Sequence, residues 1–99
     1  DLPLGIYASA TRIHGLGEEE FASVSYLGTK PTFGGREIVL ETHILDFSQD
    51  IYGAEIEVDL LDYIREDSKF KSEVDLIAQM QEDILRSRTF HLQSSHLLK

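Results

Sequence analysis

The chain has 99 residues, enough for one domain built around a single core. Its net charge of −9 argues against a nucleic-acid partner, although backbone N–H groups or a metal ion could still bind a small anion locally. The absence of cysteine excludes disulfides, thiolate zinc sites and cysteine nucleophiles; with no apolar run near the roughly 18 residues of a membrane span, a cytoplasmic protein without membrane contact is expected.

In chain order, "LPLGIYASATRI" (2–13) alternates weakly, Ile6, Ala8 and Ala10 opposing Tyr7, Ser9 and Thr11, and reads as a strand. "HGLGEEE" (14–20) is a turn by its glycines and charge, and "FASVSYLG" (21–28) is a second strand that pairs with the first as a hairpin. "TKPTFGGR" (29–36) is expected to be irregular, because Pro31 lacks a donor and Gly34-Gly35 permits positive φ. "EIVLETHILDF" (37–47) is the strongest strand pattern: Ile38, Leu40, Thr42 and Ile44 share one face, and Val39, Glu41, His43 and Leu45 the other. After the turn "SQDIYG", the segment "AEIEVDLLDYI" (54–64) alternates cleanly until Leu60-Leu61, where a bulge or bend is expected.

The last third changes period. "SEVDLIAQMQEDILRSR" (72–88) reads as a helix with Leu76, Ile77, Met80 and Ile84 on one face. Ser72 and Asp75 form a capping pattern at its start, and Arg86 and Arg88 suit its C-terminal dipole. The tail from residue 89 has no clear period. Antiparallel strands joined by glycine-bearing turns predict a mainly β barrel or sandwich with a C-terminal α-helix.

No motif carries chemistry by itself. "GTKPTFGG" matches neither a P-loop nor a dinucleotide fingerprint, the four histidines show no metal-ligand spacing, and no serine sits in a nucleophile elbow. Periodicity alone leaves Glu41 a half-exposed strand carboxylate, with His43 as its neighbour on the same face.

The stretches "LGTKPTFGG", "LETHILDFSQDIYG", "IREDSKF" and "VDLIAQMQEDILRSR" follow one another as in the riboflavin kinase (flavokinase) family. The chain resembles that family over roughly residues 3 to 90. The resemblance implies an antiparallel Greek-key β-barrel with a C-terminal helix, six-stranded when complete. It also implies transfer of the ATP γ-phosphoryl to the ribityl 5′-hydroxyl of riboflavin, giving FMN, with Mg²⁺ as the metal. By the same resemblance Glu41 is the general base. Ile44, Asp46 and Tyr52 resemble the nucleotide side, and Arg65, Ser68 and Phe70 the flavin side.

The family's Pro-Thr-Ala-Asn element, which supports Mg²⁺ and the phosphates, would precede "LPLGIY", whereas the chain opens at Asp1; Pro31-Thr32 matches a later Pro-Thr. No residue is therefore assigned to a metal, the barrel is expected to lack its first strands, and the chain alone is expected to be nearly inactive. An upstream FMN adenylyltransferase domain is a further expectation from the bifunctional members. Two rival readings stay open: a non-catalytic flavin- or nucleotide-binding remnant, and a small β-barrel interaction module with no pocket beside Glu41.

Overall fold

A computed structural model describes residues 2–17 and 19–94. Four strands, β1 (Gly5–Ile13), β2 (Glu20–Thr32), β3 (Gly35–Ile44) and β4 (Ile56–Arg65), precede one helix, α1 (Glu73–Ser94). All pairings are antiparallel and the spatial order is β3-β2-β1-β4, the strand order of a Greek key. Among the described residues β3 and β4 are edges, so the sheet is open and only partly barrel-like.

The β2–β3 hairpin corrects the sequence expectation for 29–36. Both strands run on through this stretch, with Pro31 opposite Arg36 and Thr32 opposite Gly35, leaving only Phe33 and Gly34 as the turn. Gly34 supplies the positive φ (91°) that the tight turn needs. Pro31 is tolerated because β1 pairs with β2 only as far as Leu27, so one side of the hairpin's end is open and needs no donor. The bulge expected at Leu60-Leu61 is present: Ala8 faces Asp62 while Ser9 faces Leu60, which leaves Leu61 unpaired. A second irregularity leaves out Ile64, which is buried in a cluster with Ile6 and Ala8.

β1 is one of the two inner strands and is buried almost throughout. Ile6 and Ala8 face α1, with Val24, Tyr26 and Phe90 packed against them. The other face carries hydroxyls that satisfy one another: Ser9 Oγ lies 2.7 Å from Ser23 Oγ and 2.8 Å from Ser25 Oγ. Thr11 Oγ1 reaches Ser23 Oγ at 2.8 Å, and Ser25 Oγ reaches Thr42 Oγ1 at 2.9 Å. Buried hydroxyls are tolerated when each finds a partner, and here the register supplies one.

The helix begins as expected, with the Asp75 N–H donating to Ser72 Oγ at 3.2 Å. It continues to Ser94, beyond the expected end, and residues 95–99 lie outside the described residues. Its buried residues are polar: Asp83, Ser87 and His91, at four-residue spacing on one face. Ser87 Oγ donates to the Ser23 carbonyl at 2.8 Å, and His91 Nε2 lies 2.9 Å from the Ser9 carbonyl, which requires the proton on Nε2. Each such bond contributes roughly 1 kcal/mol net, so α1 docks through hydrogen bonds as well as apolar contact. Arg88 serves the fold rather than the helix end, forming a forked pair with Asp46 at 2.7 and 3.0 Å. No described helix is long and apolar enough to cross a membrane.

Two exposed ion-pair groups predict acid sensitivity. Hydrogen bonding and charge from Arg88 hold the Asp46 carboxyl below its ordinary value, and Arg12 and His14 do the same for Glu57. A depressed folded pKa gives stability that is present above the unfolded value of about 4 and lost as pH falls through the folded one. Urea midpoints should therefore drop below about pH 4, and less steeply in an Arg12→Gln/Arg88→Gln variant. Equal slopes in the two proteins would reject this assignment.

Candidate active site

The register places Glu41 opposite Tyr26 and His43 opposite Val24. Since Val24 packs on the core under α1, Glu41 and His43 lie on the helix side of the sheet, though both stay exposed on the edge strand β3. Between this side of the sheet and α1 lies an open cavity of about 370 Å³. Its apolar lining comes from Ile6, Val24 and Phe70 on one side and Leu76, Met80 and Ile84 on the other. Met80 is exposed although it belongs to the predicted apolar stripe, because the stripe borders a cavity instead of packing down. Ile77, the fourth member, is also exposed but does not line the cavity.

The polar lining includes Glu41, His43, Arg65, Asp67 and Asp83. Among the described residues the Glu41 carboxylate makes no hydrogen bond or ion pair, although its charge acts on the Tyr26 hydroxyl. Arg65 is tied down. Its Nε and Nη2 donate to the two carboxylate oxygens of Asp83 at 2.8 and 2.7 Å, and its Nη1 donates to the Glu66 carbonyl at 3.0 Å. The guanidinium carbon stands 5.9 Å from the Phe70 ring centroid, within cation–π range. Gln79 Nε2 adds a 3.0 Å bond to Asp83, so this nearly buried carboxylate is fully committed.

Three of the expected site residues, Glu41, Arg65 and Phe70, are thus brought into one cavity. Ser68 lies beside it in the β4–α1 segment, its N–H donating to Asp67 Oδ1 at 2.9 Å. Ile44, Asp46 and Tyr52 are not among the lining residues. Ile44 shares the strand face of Thr42, away from α1; Asp46, at a φ of 56°, is held by Arg88; Tyr52 is fully exposed in the β3–β4 connection.

Sequence reasoning missed Asp83, Asp67 and Tyr26. A signal for Asp83 existed in its four-residue spacing with Ser87 and His91, which becomes legible only once the helix is extended past Arg88. Tyr26 and Asp67 left none, because they meet across 41 residues of chain.

Comparison with known proteins identifies the family. The family described as "Flavokinase: Riboflavin kinase" matches residues 2–91. The bifunctional riboflavin kinase/FMN adenylyltransferase of Escherichia coli (strain K12) is 41% identical over 86 residues, covering 87% of this chain and 27% of that protein. The enzyme of the same description from Bacillus subtilis (strain 168) is 32% identical over 84 residues, covering 82% of this chain and 26% of its own length. A crystal structure described as a macrolide-efflux protein from Streptococcus pneumoniae superposes with a TM-score of 0.77 at 34% identity, covering 86% of this chain and 27% of that one. The chain therefore spans about a quarter of the length of the curated relatives it matches.

Proposed function

This chain belongs to the riboflavin kinase (flavokinase) family, and from that premise we propose that it transfers the γ-phosphoryl group of ATP to the ribityl 5′-hydroxyl of riboflavin, giving FMN and ADP. Glu41 accepts the hydroxyl proton as the oxygen attacks the γ-phosphorus and the bond to the ADP oxygen breaks. The observation that carries this reading is the Glu41 carboxylate itself, on a paired strand, lining the cavity, and bound to no other side chain among the described residues. Phosphoryl transfer asks mainly for positioning and a group to take the proton, and an uncommitted strand carboxylate suits the second task.

The cavity is of a size that accepts a small organic ligand, and its mixed lining suits a flat apolar ring system with polar edges. On this reading Phe70 packs against the flavin, and Ser68 lies at its border. Arg65 acts chiefly by holding Phe70 and the helix in place, since Asp83 already engages it. Ile44, the last residue of β3, forms the nucleotide side with Asp46 and Tyr52, which lie beyond the strand's end. Ile44 lies three residues from Glu41, about 10 Å along an extended strand, a distance that a triphosphate can bridge. Among the described residues no group of three carboxylates or imidazoles could hold a cation, so no residue is assigned to Mg²⁺ and no step is derived through one.

The relatives are named as FMN adenylyltransferases as well, and we propose the same pairing for the protein that carries this domain. A cytoplasmic location belongs to the same reading, because ATP is supplied there. The interaction-module reading expects no cavity beside Glu41, and the cavity counts against it.

Calorimetric titration with riboflavin, FMN and MgADP, followed by an FMN-formation assay, tests the proposal. Riboflavin binding with turnover is expected from a polypeptide spanning the relatives' full length. Binding without turnover in that polypeptide would favour the non-catalytic reading, and binding of neither flavin would reject the flavin site.

A further inference from the structure

Residues 66–72, which carry Phe70, join the last strand to the helix, and their anchoring decides the shape of the cavity beside Glu41. One anchor is Arg65, clamped to Asp83. At the other end, Ser72 caps α1. Between them the Tyr26 hydroxyl donates to Asp67 Oδ2 at 3.1 Å, joining the segment to β2. The other oxygen of the same carboxylate accepts the Ser68 N–H at 2.9 Å, so Asp67 is oriented from two directions.

We propose that Tyr26 is a positioning residue of this cavity: its hydroxyl holds Asp67, and through it the Phe70 segment, in place across the sheet from Glu41. Tyr26 stands directly opposite Glu41 in the β2–β3 register, and both side chains line the cavity. The Tyr26 ring lies over Gly28, two residues along the same strand. A methyl group at Gly28 would collide with the ring, 2.6 Å from its Cε2 and closer still to Cζ and the hydroxyl. Gly28 is not among the positive-φ glycines, so the backbone does not demand glycine there; the room taken by the ring does. Asp67 and burial, with the Glu41 charge adding to them, raise the Tyr26 pKa above its ordinary value, which keeps the hydroxyl protonated and donating.

The consequence for ligand binding rests on the riboflavin kinase reading, whereas the latch itself does not. Tyr26→Phe keeps the ring and deletes the donor; Gly28→Ala keeps the donor and displaces the ring. In both, amide exchange at residues 66–71 should become faster while exchange in α1 around Asp83–His91 is unchanged. In a polypeptide of the relatives' full span, Tyr26→Phe should raise the riboflavin KM by about fivefold with little change in kcat, the loss expected for one hydrogen bond. Adding Asp67→Ala to Tyr26→Phe should cost less than Asp67→Ala costs in the parent, because the Tyr26 bond is already gone and only the Ser68 N–H bond remains to be lost. Unchanged exchange at 66–71 would overturn the proposal, and so would faster exchange with an unmoved KM. If the unsubstituted protein binds no riboflavin, the kinase reading fails, and faster exchange in Tyr26→Phe would still support the latch.

Discussion

Glu41→Gln, made in a polypeptide spanning the relatives' full length, is expected to lower kcat for FMN formation by about 10²–10⁴-fold while riboflavin still binds. Glutamine preserves the length and planarity of the side chain but cannot take up the ribityl proton at neutral pH. The substitution should be structurally quiet, since among the described residues the Glu41 carboxylate holds no hydrogen bond or ion pair that folding relies on. Calorimetric affinity, single-turnover rate and thermal midpoint, measured on the same preparation, separate the outcomes. Retained turnover would reject Glu41 as the base, and lost affinity would recast it as a binding group.

The largest stability loss is expected at the buried pair. In Asp83→Ala the Arg65 guanidinium, whose side chain is only 18% exposed, loses both carboxylate bonds and stays largely desolvated. Removing one partner of such a pair costs about 3–5 kcal/mol. In a domain of this size that corresponds to a fall in Tm of at least about 12 °C, read by circular dichroism. Replacing both members, Arg65→Met with Asp83→Leu, should cost less than Asp83→Ala alone, because no charge is then left buried. A single variant within about 1 kcal/mol of the parent would show that water replaces the carboxylate and that the pair does not fasten the helix.

Much of the local structure was legible because it rests on short-range rules. The period of two in "EIVLETHILDF" put Glu41 and His43 on one strand face, and the register confirms it. Leu60-Leu61 announced the bulge, and Ser72 announced the helix start. The hairpin at 29–36 was misread because a proline that forbids a central ladder is harmless where β2 has no partner on one side. The helix end was misread because Ser87 and His91, taken singly, look like surface residues. Their burial depends on carbonyls of Ser23 and Ser9, which lie far away in sequence.

By itself, then, the sequence determined the strands, their alternation, the helix start and, through its family resemblance, the identity of the candidate base. Only the tertiary structure decided that Glu41 borders the open cavity beside α1, that the helix docks on polar atoms, and that Arg65 is bound to Asp83. Alternation divides a strand into two faces, but which face borders the cavity depends on where a helix starting some thirty residues later comes to rest.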